Sequence, residues 1–319
     1  PGRHLLVGVF PLLLALGFIV PAVRPALPAP DGAVFLIVQP NIDQAEKQSP
    51  GGFERSLVRL MDLSREGLLR YPRAQAVVWP EAAVEFPLEE RADLRALLGA
   101  MLEPGQTLLT GGVAIERNAD GQAIGARNSL YALDQRGRIL MRYDKAHLVP
   151  GGEYLPLRWL AEPLGLARLV PGSLDFLPGP GPATFRLPGL PSIGPAICYE
   201  IIFPGAVVDR EDRPDLILTV SNDAWFGRSG PPQHHAQARL RAIEEGLPVV
   251  RVTPTGVSGF IDPRGGMHET LPRHVPGVSA MAAHAPLAPT PFSRMGLAAP
   301  GLFALFLLVL AFLTNRKKT

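Results

Sequence analysis

Seven short apolar runs recur through the middle of this chain, at 34–38, 76–79, 107–115, 129–133, 139–143, 192–198 and 216–220. Each is too short for a typical buried helix and has the length of a strand buried on both faces. Helical patterns fall between some of them. Residues 53–69 put Leu57, Leu60, Met61 and Leu68 on a different face from the charged residues, and 233–245 do something similar. Strands that alternate with amphipathic helices constrain the chain to an α/β layered fold. The stretch 34–290 is large for one domain but acceptable for such a fold, and it contains no internal repeat. The 35 prolines are scattered and read as loop punctuation.

Two uncharged segments flank this domain. Leu5–Val23 is 19 residues long, about 28 Å as a helix at ~1.5 Å per residue. Pro11 and Pro21 weaken it as an isolated helix, and a buried helix or the tail of a signal sequence is the other reading. Met295–Thr314 has 20 uncharged residues dense in Leu and Phe, followed by Asn315-Arg316-Lys317-Lys318. We therefore expect transmembrane helices in 1–25 and 295–314, with a basic cytoplasmic tail at 315–319. Lys and Arg next to a span favour the cytoplasmic side, which places the domain between the spans outside the cytoplasm. Arg3 and His4 agree with this orientation, while Arg24 opposes it. The chain opens Pro1-Gly2-Arg3 with no methionine, so we expect further sequence upstream. A net charge of +2 with dispersed Arg residues argues against a nucleic-acid partner.

Three of the apolar runs end in a reactive side chain: 76–79 leads to Glu81, 139–143 to Lys145, and 192–197 to Cys198. Loops at the carboxyl ends of strands in open α/β sheets are where sites gather. Cys198 is the only cysteine and so has no disulfide partner within this chain. It is either a small core residue or a reagent. As a reagent it needs a general base, which Glu81 can supply. A cation such as Lys145 would favour the thiolate and stabilise a tetrahedral oxyanion. Taken singly, Glu81 and Lys145 read equally well as surface charges.

The segments Trp79-Pro80-Glu81, Tyr143-Asp144-Lys145 through Pro156, and Cys198-Tyr199-Glu200 resemble the Glu-Lys-Cys motifs of the nitrilase (carbon–nitrogen hydrolase) superfamily. Residues 220–227, Gln233-His234 and 241–244 extend the likeness. With the apolar flanks and 290–294, the resemblance is to the acyltransferase branch of that superfamily. It implies a nitrilase-like α-β-β-α sandwich flanked by transmembrane helices. The domain would face the periplasm from a multi-pass protein of the bacterial inner membrane. It also implies that Cys198 takes an acyl chain from a phospholipid as a thioester. The chain then passes to the α-amino group of the N-terminal diacylglyceryl-cysteine of an apolipoprotein. Glu81 would be the base and Lys145 the oxyanion-stabilising cation, supported by Glu153, Tyr199 and Glu200. No cofactor or metal is implied, and the protein is expected to act as a monomer.

Glu153 suits charge pairing with Lys145, and Glu200 suits orienting groups beside the thiol. Trp225 and Phe226 line either an acyl-chain or membrane-facing entrance, or the core. His234 and His235 have no metal-site spacing and read as structural. Gln48 stands where the family commonly has tryptophan, and Pro254 where it has asparagine. Two other readings remain open: a membrane-tethered amidase or nitrilase acting on a small carbon–nitrogen substrate, and a non-catalytic lipid- or lipoprotein-binding module.

Overall fold

The computed structural model describes residues 26–157, 159, 163, 175–223, 227 and 229–316. Pro30–Arg294 form one compact unit, and the residues from Met295 onward belong to another.

The Pro30–Arg294 unit contains two sheets. The first has the strand order β11-β1-β2-β3-β4-β5. Its members are β1 (Val34–Gln39), β2 (Ala74–Val78), β3 (Thr107–Arg117), β4 (Ala123–Leu133), β5 (Ile139–Asp144) and β11 (Gly277–Ala282). The second has the order β10-β9-β8-β7-β6. It comprises β6 (Ile193–Ile197), β7 (Leu216–Val220), β8 (Val249–Val252), β9 (Ser258–Ile261) and β10 (Met267–Leu271).

The two-residue period of a strand sorts the side chains into layers. Phe35, Ile37, Ala76 and Val78 from the first sheet meet Ile193, Ile197, Leu216, Leu218 and Val220 from the second in a shared core. Their neighbours Leu36, Val38 and Val77 point the other way, under α2 (Gly52–Arg70) and α3 (Ala92–Gly99). On the outer face of the second sheet, Ala196, Ile217 and Val249 pack against Ala238 and Ala242 of α4 (Gly230–Glu245). The layering is α-β-β-α.

Helix α2 buries Leu57, Leu60, Met61, Ser64 and Gly67, which recur at three- and four-residue steps. Each large apolar member contributes about 1.5–3 kcal/mol by burial. Gly67 lets α2 lie close to β1: a Cβ there would stand 2.8 Å from Leu36 Cδ2, and that side chain would have to shift. The short α1 (Gln44–Gln48) precedes α2 and starts at Asp43, whose carboxylate accepts from Glu46 N.

The strand directions place the site. β1, β2 and β3 are parallel, and β4 is antiparallel to both β3 and β5, so β2 and β5 end at the same edge. β6, β7 and β8 are parallel to one another. All seven apolar runs are strands. β8 to β11 carry a weaker apolar signal: β8 is interrupted by the fully buried Arg251, and β10 includes His268 and Glu269.

In the second unit, α6 (Ala298–Arg316) has exposed Leu302, Phe303, Leu305, Phe306, Leu308 and Phe312. The five-residue α5 (Pro291–Met295) belongs, but for Met295, to the Pro30–Arg294 unit. Among the described residues no helix is long and apolar enough to cross a membrane. The apolar segment Leu5–Val23 lies outside the described residues.

Candidate active site

Glu81, Lys145 and Cys198 follow the carboxyl ends of β2, β5 and β6, and all three are buried, with exposures of 7%, 1% and 4%. Lys145 Nζ lies 3.5 Å from Glu81 Oε1 and 3.0 Å from Glu153 Oε1. Asn128, in β4, donates its side-chain amide to the same two oxygens, at 2.7 Å and 2.9 Å. The remaining oxygens take backbone donors: Asn222 N reaches Glu81 Oε2 at 2.6 Å, and Val149 N reaches Glu153 Oε2 at 2.8 Å. Each carboxylate is thus fixed by several donors in a dry setting, where such bonds are strongest.

Two tight turns present the reactive groups. Ala82, next to Glu81, has φ 50°, and Cys198 itself has φ 50°. Non-glycine residues rarely adopt this left-handed conformation, so the surroundings must hold it. Lys47 of α1 donates its ammonium to the Ala82 carbonyl and pairs with Glu85 at 3.0 Å. Gly111 of β3 makes room for the turn, since a Cβ there would sit 2.6 Å from Glu81 Cα and from the Pro80 oxygen. Cys198 opens a 3-10 helix, Cys198–Ile202.

Glu200, buried in that helix, joins the thiol turn to the Lys145 strand end. Its carboxylate accepts from Ile197 N and Ala146 N at 2.7 Å each, from His147 N at 3.3 Å, and from Tyr143 Oη at 2.9 Å. Burial raises the Glu200 pKa, with the backbone amides opposing it. Tyr199 meets Phe203 edge-on at 5.0 Å, and Phe203 stacks on His147 at 4.6 Å. Trp225 and Phe226 lie outside the described residues. Gln48 is exposed at the end of α1, while Pro254 is buried and its carbonyl accepts from Asn41 N. Pro254 also lines a pocket beside Glu81 together with Gln44, Lys47, Pro80 and Asn222.

The charges have a clear sense. Burial pushes the Cys198 thiol pKa well up and Glu81 adds to this, against the lowering effect of Lys145. The resting sulfur is therefore a neutral thiol. Burial disfavours the Lys145 ammonium, but the Glu81 charge, together with the charge and hydrogen bond of Glu153, outweighs it and holds its pKa above the ordinary lysine value. A neutral thiol, two carboxylates and one ammonium can pass a proton from sulfur to carboxylate as attack proceeds, leaving the cation to face a developing oxyanion.

Sequence reasoning missed Asn128, which sits at the boundary of the apolar run 129–133, and a second buried group behind Cys198. In that group His234 Nε2 lies 2.9 Å from the Cys198 carbonyl oxygen, and Nδ1 lies 2.9 Å from Asp223 Oδ1. Arg251 Nη2 donates to Asp223 Oδ2 at 2.7 Å. Burial opposes the Asp223 carboxylate, but Arg251 and His234 win and lower its pKa. Burial, aided by Arg251, lowers the pKa of the neighbouring His235 to about 4. Among the described residues no group of three or more His, Cys, Asp or Glu is placed to hold a metal ion.

Two facing sheets, helices on both outer sides and a Glu-Lys-Cys constellation at the strand ends define the class, and the sequence agrees. The carbon-nitrogen hydrolase family profile matches residues 37–283, so the chain belongs to the carbon–nitrogen hydrolase family. It is 38% identical over 294 residues to the apolipoprotein N-acyltransferase of Rhodopseudomonas palustris, covering 90% of this chain and 54% of that protein. It is 42% identical over 265 residues to the protein of the same name from Allorhizobium ampelinum, covering 81% of this chain and 49% of that one. The chain spans about half the length of these curated relatives. An amidase from Nesterenkonia sp. has the same fold, with a TM-score of 0.58 at 16% identity over 87% of this chain and 98% of that one. A mutant of that amidase carries the acetamide moiety of fluoroacetamide added covalently at its active-site cysteine (TM-score 0.54, 16% identity, 82% and 94% coverage).

Proposed function

We propose that the intact protein is an apolipoprotein N-acyltransferase. It takes a fatty acyl chain from a phospholipid onto Cys198 and delivers it to the α-amino group of an N-terminal diacylglyceryl-cysteine. The observation that carries the chemistry is the buried Lys145, held between Glu81 and Glu153 and near enough to Cys198 for the charges of Lys145 and Glu81 to act on the thiol. The name shared by the relatives at 38% and 42% identity supports the choice of substrates. Covalent addition at the cysteine of the Nesterenkonia amidase mutant supports Cys198 as the nucleophile.

In the first half-reaction Glu81 takes the thiol proton while sulfur attacks the ester carbonyl, and the oxyanion forms facing Lys145. The tetrahedral species collapses, the lysophospholipid oxygen leaves with the proton from Glu81, and a thioester remains. In the second half-reaction the acceptor amine attacks that thioester and passes a proton to Glu81. Collapse then breaks the carbon–sulfur bond and the proton returns to Cys198. Glu153, Asn128 and Glu200 fix the participants, and Tyr199 supports the turn that carries the thiol.

Both substrates reside in a bilayer, so we place the protein in the bacterial inner membrane as a multi-pass monomer, with the Pro30–Arg294 unit on the periplasmic side. The uncharged segments 5–23 and 295–314, the exposed Leu and Phe side chains of α6 and the basic tail support this placement. The test is to give the intact protein in membranes a phospholipid with a labelled acyl chain and a diacylglyceryl peptide. The expected product is the labelled N-acyl peptide. Labelled free fatty acid as the only product would replace the transferase with a hydrolase.

A further inference from the structure

We propose that His234 is a positioning residue for Cys198, acting through the hydrogen bond from its ring to the Cys198 carbonyl and braced from behind by Asp223 and Arg251. The inference rests on the reading of Cys198 as the acyl-carrying nucleophile.

Cys198 has φ 50°, a conformation that an L-residue keeps only when its neighbours impose it. Its carbonyl oxygen can only accept, so the His234 Nε2 facing it at 2.9 Å carries the hydrogen. With the hydrogen on Nε2, the other ring nitrogen can accept from Arg251 Nη2 at 3.2 Å and lies 2.9 Å from Asp223 Oδ1, while Arg251 donates to Asp223 Oδ2 at 2.7 Å. These three side chains are almost fully enclosed, at 5%, 1% and 0% exposure. They come from three separate elements: His234 from α4, Asp223 from the loop after β7, and Arg251 from β8. Arg251 is fixed again by donating Nε to the Val257 carbonyl at 3.2 Å. A chain of this kind inside a packed interior has little freedom to yield.

The consequence for chemistry follows from peptide geometry. No cis peptide bond occurs among the described residues, and in a trans peptide the C=O and N–H point in opposite directions. Holding the Cys198 carbonyl toward His234 therefore aims the Tyr199 N–H the other way. That amide lies in the first turn of the Cys198–Ile202 helix, where the helix itself supplies no acceptor. His234 thus fixes the direction of the thiol and of a backbone donor on the opposite side of the same peptide. It does so without touching substrate, and it is distinct from the Glu81-Lys145 apparatus. Charge pairing in the sequence would not reveal it, because its target is a backbone oxygen.

The test uses the intact protein in membranes, with a phospholipid carrying a labelled acyl chain, and follows the single-turnover rate of label appearing on Cys198. The variants are His234→Leu, which removes the donor, and His234→Gln, which offers an amide N–H in its place. His234→Leu is expected to slow acylation about 100-fold, the scale of a misplaced reacting group, with the phospholipid concentration dependence unchanged. His234→Gln is expected to recover most of the rate. If His234→Leu does not accumulate in folded form, Asp223→Asn, which keeps the volume but weakens the brace, should slow acylation about 10-fold at unchanged concentration dependence. Acylation at the wild-type rate in His234→Leu, or in Asp223→Asn, would overturn the positioning role. So would equal losses in His234→Leu and His234→Gln, since a structural role gives no rescue. Absence of label on the wild-type protein would instead overturn the parent reading of Cys198.

Discussion

Lys145 Nζ stands 3.0 Å from Glu153 Oε1, and the two side chains are 1% and 6% exposed. Breaking a buried pair from one side leaves a charge without compensation, at a cost of about 3–5 kcal/mol. Glu81, 3.5 Å away, is the other carboxylate within reach of the ammonium. Glu153→Ala should therefore lower stability, by less than that amount because Glu81 remains as a second counter-charge. It should also abolish acylation of Cys198, because Glu81 is recruited as the lysine's counter-ion. Thermal melting together with adduct formation by mass spectrometry checks both outcomes, and retained acylation would remove Glu153 from the apparatus.

Asn128 donates to Glu81 and Glu153 at once. Asn128→Asp replaces a shared donor with a third carboxylate, while Asn128→Leu leaves two carboxylates short of a bond worth about 1.5–3 kcal/mol each to a charged group. Both variants should lose acylation by at least 10-fold, and Asn128→Asp should recover part of it as pH falls and the added carboxyl is protonated. Rate against pH for the two variants distinguishes charge from lost bonding.

Gly111 allows the Pro80-Glu81-Ala82 turn to lie against β3, because a Cβ would meet three backbone atoms at 2.6 Å. Backbone cannot move aside as a flexible side chain can. Gly111→Ala should displace Glu81 and destabilise the fold by about 1–3 kcal/mol as overpacking does. The expected readout is a lowered melting temperature with acylation reduced about 100-fold.

Burial and Glu81 raise the Cys198 pKa above its ordinary value of 9.0. A group whose folded pKa is raised gives stability that is complete below the unfolded value and is lost as pH rises through the folded value. The wild-type protein should accordingly lose stability as pH climbs above 9.0, and Cys198→Ser should lose less over the same range. Lys145, also raised from 10.5, adds a loss of the same sign at higher pH in both proteins. Chemical unfolding at a series of alkaline pH values tests the difference.

Much of the fold was readable because buried strands announce themselves. The seven apolar runs all became strands, and α2 and α4 followed the periodic stretches at 53–69 and 233–245. The placement of Glu81, Lys145 and Cys198 at strand ends was equally visible, since each run stops at a reactive side chain. What escaped was what depends on partners distant in sequence. Arg251 breaks the pattern of β8 because it is buried for the sake of Asp223, 28 residues away. Asn128 opens an apolar run yet bonds across to Glu81, 47 residues away. His234 reads as structural in sequence, and its bond to a backbone carbonyl exists only in three dimensions.

The most direct measurement is mass spectrometry of Cys198 after the intact protein, in membranes, meets phospholipid without any acceptor. The thioester mechanism requires a hydroxylamine-labile fatty acyl adduct on Cys198 in the wild-type protein and none in Glu81→Gln or Cys198→Ser. An acyl group found on another residue, or an adduct that forms equally well in Glu81→Gln, would contradict it.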